Sequence, residues 1–122
     1  MNSTDRSEPG LARMSLSISV VVFRPDLEML ARTLSSLDVA CKRLRSAEPN
    51  VVLQVYLIDN GGLPSDFAVR WASEALPCFS YTVKTGHGNI GYGRGHNLAI
   101  AELDSDYHLV LNPDIEMQPD AL

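Results

Sequence analysis

The chain has 122 residues, of which 45% are hydrophobic and 20% are charged, and its formal net charge is -5. This length is sufficient for one domain and too short for two, and the composition excludes a disordered protein. The acidic balance disfavours nucleic acid and anionic membrane surfaces as partners.

The first residues, 1–11, are polar and lack the basic start and the apolar stretch of a secretory signal. No apolar run approaches the roughly 20 residues that span a bilayer. Cys41 and Cys78 have neither the spacing of metal ligands nor the density of a disulfide framework. We therefore predict a flexible leader over residues 1–14, one domain over residues 15–122, no transmembrane segment, and reduced thiols in a cytoplasmic protein.

Residues 16–23 form a short, β-branched apolar run, which is typical of a buried parallel strand. A helix is predicted to begin at Pro25 and Asp26, because proline and a carboxylate are both favourable in a first helical turn. Its apolar residues recur three and four positions apart and predict one core-facing stripe: Leu27, Leu30, Leu34, Leu37, Cys41 and Leu44.

The following elements continue the alternation of strand and helix. A second strand is predicted over about residues 51–58, and a second helix runs from about residue 64 to Pro77. Apolar Phe79, Tyr81 and Val83 alternate with polar residues and predict a half-buried third strand.

The last third of the chain holds a glycine-rich loop over residues 86–95, a helix predicted over about residues 95–103, and a fourth strand over residues 107–111. This order predicts an α/β fold, in which a mostly parallel sheet of about four strands carries helices on both faces. The last five residues, 118–122, read as the first turn of a helix. We therefore expect a fragment.

Ligands of open parallel sheets bind at the carboxyl ends of the strands. In this sequence Phe23 follows the first strand, and Asp59 follows the second. Asp59 begins an Asp-Asn-Gly turn, which alone is sufficient to explain it. At a ligand site, the same carboxylate can accept the ring N3–H of uracil or thymine, a donor that cytosine lacks.

Three glycines in the loop, Gly86, Gly88 and Gly91, match the spacing of the dinucleotide-binding fingerprint. That fingerprint belongs after the first strand, with an acidic residue ending the next one. Here Asp104 and Asp106 open a strand instead, at the opposite edge of the sheet. The sequence therefore disfavours a dinucleotide-dependent oxidoreductase.

Polar side chains of the loop and its helix are candidates for ligand contacts. Asn89 and Asn97 are expected to hold the loop and the ligand through amide hydrogen bonds, and Arg94 and His96 to offer donors to a phosphate. The alternative for these residues, and the preferred interpretation of His87, is ordinary solvent exposure.

Asp114 follows the fourth strand, after Asn112 and Pro113. A carboxylate near a diphosphate can bind Mg²⁺ or Mn²⁺, and the cation would offset charge on a leaving diphosphate. The structural alternative is a helix-initiating Asn-Pro-Asp turn.

Four motifs, in this order, resemble glycosyltransferase family 2, the inverting enzymes with the GT-A nucleotide-binding fold: ISVVVF, YLIDNGG, GNIGYGRGHNLAI and HLVLNPDIEMQPDAL. In the last motif, Asn-Pro-Asp replaces Asp-x-Asp, a form found in members similar to rhamnosyl- and galactofuranosyltransferases of surface polysaccharide synthesis. The resemblance covers about residues 16–122, so it implies the nucleotide-binding half of a GT-A domain. Because the family's sheet continues past the fourth strand, the resemblance also implies an unpaired sheet edge through which the chain self-associates.

The resemblance implies a UDP- or dTDP-sugar as donor, a saccharide or lipid-linked acceptor, and Mg²⁺ or Mn²⁺ as cofactor. A full-length form would be cytoplasmic or peripheral at the inner membrane face. Asp114 would bind the metal, and the nucleotide-sugar site would comprise seven residues: Phe23, Asp59, Asn89, Gly91, Asn97, Asn112 and Asp114.

Two departures from the family pattern affect these expectations. Phe23-Arg24-Pro25 stands where the family often has Tyr-Asn, and Asn112 is a poorer cation ligand than aspartate. In the family, the general base lies beyond the metal motif, so we predict no catalytic residue in this chain and no useful sugar transfer by it alone. The alternatives are a non-catalytic nucleotide-sugar-binding module and an inactive fragment.

Overall fold

The computed structural model describes residues 14–100 and 105–122, so the predicted leader lies almost wholly outside the described residues, as does Asp104. The described elements, in chain order, are β1 (Ser15–Val22), α1 (Leu27–Ala47), β2 (Val52–Asp59), α2 (Phe67–Ala75), β3 (Ser80–Lys84), α3 (Tyr92–Ile100) and β4 (Tyr107–Leu111).

The strands form one parallel sheet in the order β3-β2-β1-β4. β1 pairs with β2 along its whole length, ending with Val22 opposite Asp59. On its other side it pairs with β4, ending with Val20 opposite Leu111. The chain thus moves outward from β1 to β3 and then crosses back to form β4. The predicted α/β class and the four-stranded parallel sheet are confirmed.

The main core lies on the face of the sheet that carries α1 and α2. Ile18, Val20 and Val22 alternate along β1 and pack against the buried stripe of α1. The stripe is confirmed at Leu30, Leu34, Leu37 and Cys41, whereas Leu27 is 38% exposed because it lies at the first turn, beyond the sheet. Burying an aliphatic side chain of this size contributes about 1.5–3 kcal/mol.

The opposite face is covered by α3, so the prediction of helices on both faces is confirmed. Val21, Ile58 and Ala99 form a second, smaller apolar cluster there. Gly95 lets the helix approach β1 closely, because a Cβ at this position would lie 2.8 and 2.9 Å from the two methyl carbons of Val21. A side chain at position 95 would therefore force a buried, β-branched residue to move.

Two helices begin where side chains or packing dictate. Asp26 is the N-cap of α1, and its side chain accepts a hydrogen bond from the amide of Met29 at 3.1 Å. α3 begins at Tyr92, three residues before the predicted start, because the close contact at Gly95 places this glycine inside the helix.

The segment after β4 differs from its prediction. Residues 118–122 contain one turn, in which the amide of Ala121 donates to the carbonyl of Gln118 at 3.0 Å, and they form no helix. The segment lies against α1, where the amide of Met117 donates to Ser36 Oγ at 2.9 Å.

The outer strand β3 is more exposed than predicted. Phe79, just before it, is buried, but Tyr81 and Val83 are 37% and 36% exposed. The reason is that α2 is short and contributes one buried residue, Ala68, so it covers β3 incompletely.

The amino edge of the sheet is fastened by Asp106, which precedes β4. Its carboxylate accepts hydrogen bonds from the amide and the hydroxyl of Ser15, at 2.9 and 3.2 Å. Asp106 therefore lies at the edge opposite the strand carboxyl ends, as the sequence predicts, and it joins β4 to β1 there.

Within the described residues, no helix combines the length and apolar character needed to cross a bilayer.

Candidate functional site

The strand order places a topological switch point between the carboxyl ends of β1 and β4, since the chain leaves β1 on one side and returns on the other. Open parallel sheets bind ligands in the crevice at such a switch point. Strands lie about 4.8 Å apart, so the ends of β2 and β4 are separated by roughly 10 Å. We call this edge the carboxyl rim; it comprises Phe23, Asp59, residues 85–92 and residues 112–114.

The carboxylate of Asp59 is almost buried, with 8% exposure, and is held by three hydrogen bonds. Its Oδ1 atom accepts from the amides of Gly61 and Leu63, at 2.8 and 3.3 Å. Its Oδ2 atom accepts from the hydroxyl of Thr85 at 2.9 Å, which joins the end of β2 to the end of β3. Asp59 therefore organises the turn, as the structural interpretation predicts.

Asp59 also retains capacity for a ligand. A carboxylate offers about four acceptor positions, and three are occupied here, so one remains on Oδ2. Asp59 and Thr85 line a cavity of about 310 Å³. Its walls combine apolar side chains of α2 and β3 with a polar end, and its lining includes Asp59, Leu63, Ala68, Tyr81, Val83 and Thr85.

Phe23 stands at the end of β1 with 47% of its surface exposed. The guanidinium of Arg24 lies 5.0 Å from the centre of its ring, so a cation and an aromatic face share this part of the rim. The Arg24 amide donates to the Gly61 carbonyl at 2.7 Å. At Gly62, with a φ of +84°, an added Cβ would lie 2.9 Å from Arg24 Cα, so only glycine allows the two turns to pack together.

Asn60 ties the glycine-rich loop to the sheet. Its side chain is buried, its Nδ2 atom donates to the Gly91 carbonyl at 3.0 Å, and its Oδ1 atom lies 2.9 Å from His87 Nε2. His87 is thus partly buried and bonded, which corrects its interpretation as an ordinary exposed residue. Since both partners of Asn60 belong to the loop, the loop is fixed over the end of β2.

Three residues meet at the carboxyl end of β4. The hydroxyl of Tyr92, at the start of α3, donates to Oδ1 of Asn112, just after β4. Burial raises the pKa of Tyr92, and the negative charge of Asp114 raises it further. Asp114 is exposed, and the neighbouring Pro113 is held by the Thr33 hydroxyl, which donates to its carbonyl at 2.8 Å.

Asp114 is a single carboxylate and does not form a complete metal site by itself. No group of three or more His, Cys, Asp or Glu within residues 14–100 and 105–122 is arranged to hold a metal by itself. Mg²⁺ commonly uses one or two carboxylates together with phosphate oxygens and water. Asp114 supplies one carboxylate, whereas the Asn112 side-chain oxygen is already bonded to Tyr92.

The remaining predicted residues are divided between the rim and the outer side of α3. Asn89 lies in the loop, and its Oδ1 atom accepts from the Gly91 amide at 3.2 Å. Arg94 and Asn97 are exposed on the outer side of α3. The structure therefore brings Phe23, Asp59, Asn89, Gly91, Asn112 and Asp114 to the rim, and leaves Asn97 on the solvent side of the helix.

His96 is not an ordinary exposed residue, which corrects that expectation, and its Nε2 atom is buried without a hydrogen-bond partner among the described residues. It is 4% exposed, and its Nδ1 atom lies 2.5 Å from Ser19 Oγ in the middle of β1. Ser19 Oγ also lies 2.8 Å from His108 Nε2, and His108 Nδ1 lies 2.7 Å from Ser17 Oγ. Ser17 and Ser19 lie on the face of β1 that α3 covers, where apolar residues are expected, so α3 packs over a layer of buried hydrogen bonds.

This layer predicts a loss of stability in acid. Burial lowers the pKa of His96 and of His108 from the ordinary 6.5, and for His96 the neighbouring His108 adds to the effect. The unfolded chain takes up protons first, so the contribution of the neutral pair is complete above pH 6.5 and is lost as the pH falls below it. We expect the free energy of unfolding, measured with urea at about pH 7.5 and about pH 5.5, to fall by at most about 1.4 kcal/mol per pH unit for each histidine.

One histidine variant controls this measurement. His96→Gln should unfold more easily at neutral pH but lose less stability on acidification than the unchanged chain. Equal slopes for the two proteins would contradict the role of His96 in this acid sensitivity.

Sequence reasoning missed Asn60, Tyr92 and Thr85 as organisers of the rim. The Asn-Gly pair at position 60 indicated a turn, and that signal concealed the second role of the asparagine. No local pattern marks Tyr92 or Thr85, because their partners are 20 and 26 residues away.

No family model matches the sequence, and a search of curated proteins finds no match to it either.

Proposed function

We propose that this chain binds a UDP- or dTDP-sugar and is the donor-binding portion of a glycosyltransferase similar to family 2. The observation that carries the proposal is the arrangement of Asp59, the glycine-rich loop, Asn112 and Asp114 on one rim around a topological switch point. The four motifs that resemble the family provide these same residues.

The base is assigned to the Asp59 side of the rim. The unoccupied acceptor position on Oδ2 suits the N3–H of uracil or thymine, and the apolar walls of the adjoining cavity suit the faces of a planar ring. The exposed ring of Phe23 lies next to the Asp59 turn, since a Cβ on Gly61 would be 3.2 Å from it. Cytosine has no N3–H, so this site should discriminate against it.

The diphosphate is assigned to the crevice between β1 and β4. The N-terminus of α3 opens onto the rim and carries the positive end of the helix dipole. Arg24 adds a full positive charge at the end of β1. Asp114 would hold a Mg²⁺ or Mn²⁺ shared with the phosphates, and the bound cation would neutralise charge on the leaving diphosphate.

The acceptor and the cellular setting follow from the resemblance. We assign a saccharide or lipid-linked acceptor and a role in cytoplasmic polysaccharide synthesis. Self-association through the exposed edge of β3 or β4 is part of the same proposal.

Calorimetric titration with UDP, dTDP and CDP, each with and without Mn²⁺, tests the proposal. We expect UDP or dTDP to bind, and CDP to bind at least about tenfold more weakly. Failure of both UDP and dTDP to bind would contradict the proposal. If NAD, titrated in the same way, bound more tightly than UDP and dTDP, the result would support the dinucleotide-dependent oxidoreductase that the sequence disfavours.

A non-catalytic binding module would pass the same titration. Measuring sugar transfer from a panel of nucleotide sugars separates the two, because a module binds without turnover.

A further inference from the structure

The bond between Tyr92 and Asn112 bridges the crevice of the carboxyl rim. Tyr92 is the first residue of α3, which packs on β1 and β2, while Asn112 follows β4 on the far side of β1. The hydroxyl of Tyr92 donates to Asn112 Oδ1. A tyrosine hydroxyl carries a proton that it can donate, as it does in this bond.

Tyr92 is itself held in place from the centre of the sheet. Its ring meets the imidazole of His96 edge-on, with ring centres 4.5 Å apart and planes at 80°. His96 is buried and bonded to Ser19 on β1. The contacts of Ser19 with His96 and of His96 with Tyr92 thus fix the Tyr92 hydroxyl relative to β1.

The bond decides which end of the Asn112 amide faces a ligand. An asparagine side chain has one oxygen with two acceptor positions and an NH₂ group with two donors. Tyr92 takes one acceptor position and turns the oxygen towards α3, and the residue is exposed, so the NH₂ group is the end turned away from Tyr92. Asn112 therefore offers a hydrogen-bond donor, which suits an anion.

We propose that Tyr92 is a positioning residue, which orients the Asn112 NH₂ group towards the diphosphate of the bound nucleotide sugar. This inference rests on the proposed function and adds that Asn112 contacts phosphate directly. Asp114 is then the one cation ligand of the pair at positions 112 and 114. A substantial part of the diphosphate affinity consequently needs no metal.

The test compares UDP affinity with and without Mn²⁺ for the unchanged chain, Tyr92→Phe and Asn112→Asp. We expect the unchanged chain to bind UDP in the presence of a chelator. Tyr92→Phe keeps the ring on His96 but frees the amide, so its metal-free affinity should fall about tenfold, the effect of one hydrogen bond to a charged group. Asn112→Asp should lose more than that without metal and recover with Mn²⁺, because it exchanges a donor for a second carboxylate.

Matched controls separate this inference from a loss of folding. Tyr107→Phe alters an exposed tyrosine at the amino end of β4 and should change nothing. Uridine, which has no phosphate, should bind Tyr92→Phe and the unchanged chain equally, and urea midpoints should report any destabilisation. In NMR spectra of the protein with its asparagine residues labelled with ¹⁵N, the Asn112 NH₂ signals should shift when UDP binds without metal.

The outcomes are distinct for the two proposals. If the unchanged chain binds no UDP or dTDP, the proposed function fails and this inference fails with it. If UDP binds but Tyr92→Phe shows the unchanged metal-free affinity, or if Asn112→Asp binds as well without Mn²⁺ as with it, the inference is overturned and the proposed function stands.

Discussion

Replacing Asp59 with asparagine should lower the affinity of the chain for UDP by about tenfold to a hundredfold, which is the range expected for one hydrogen bond to a charged group. The turn should survive, because asparagine keeps an oxygen that accepts from the amides of Gly61 and Leu63. The acceptor on Oδ2 is lost, however, since an NH₂ group replaces it and meets the Thr85 hydroxyl, which can accept as well as donate. Calorimetry with UDP measures the loss.

The specificity of this effect distinguishes base recognition from damage to the rim. CDP should bind both proteins weakly, so the preference for UDP should shrink in the variant. Asp66→Asn provides a matched control, because Asp66 is an exposed carboxylate at the N-cap of α2 whose side chain makes no capping bond and whose contact with Arg70 is long, at 3.5 Å. An equal loss of affinity for UDP and CDP would mean that Asp59 acts on the turn alone.

Truncating Leu37 to alanine should destabilise the chain by about 2–5 kcal/mol, a large share of the stability of a small domain. Leu37 is fully buried in the middle of α1 and belongs to the cluster that joins this helix to the sheet. The truncation removes apolar contacts and leaves a cavity, because close-packed neighbours relax only in part. Urea denaturation at neutral pH measures the change in the free energy of unfolding.

A second site on the same helix calibrates that result. Val39 is 50% exposed, so Val39→Ala should change the free energy of unfolding by less than about 0.5 kcal/mol. Similar losses at both positions would show that α1 does not pack on the sheet as described.

The sequence alone predicts those parts of the fold that are written in local patterns. The β-branched run of β1, the leucine stripe of α1 and the turn after β2 each follow from neighbouring residues, and the strand bounds of β4 are confirmed to the residue. Placing Asp59 and Asp114 on one edge needs only the rule that parallel strands share a direction. That placement agrees with the structure.

The errors concern contacts between distant segments. Glycine is a poor helix former, so Gly93 and Gly95 argued against a helix before position 95. The close contact of Gly95 with Val21, however, requires a glycine inside the helix at that position. Likewise, no pattern in the sequence pairs Ser19 with His96, which are 77 residues apart. The arrangement of Tyr92 and Asn112 depends on the same long-range packing, so it could be found only in three dimensions.

The position of β4 beside β1 has a consequence for how the chain folds. β1 is an inner strand of the described sheet, and its pairing with β4 joins distant parts of the sequence: the bond between Ser15 and Asp106 spans 91 residues. Closing so long a loop slows folding, and on the ribosome β1 must wait for β4 to emerge before both its edges are paired. During synthesis, an open, apolar strand edge is therefore exposed to other nascent chains, and chaperone binding at this stage should favour correct folding.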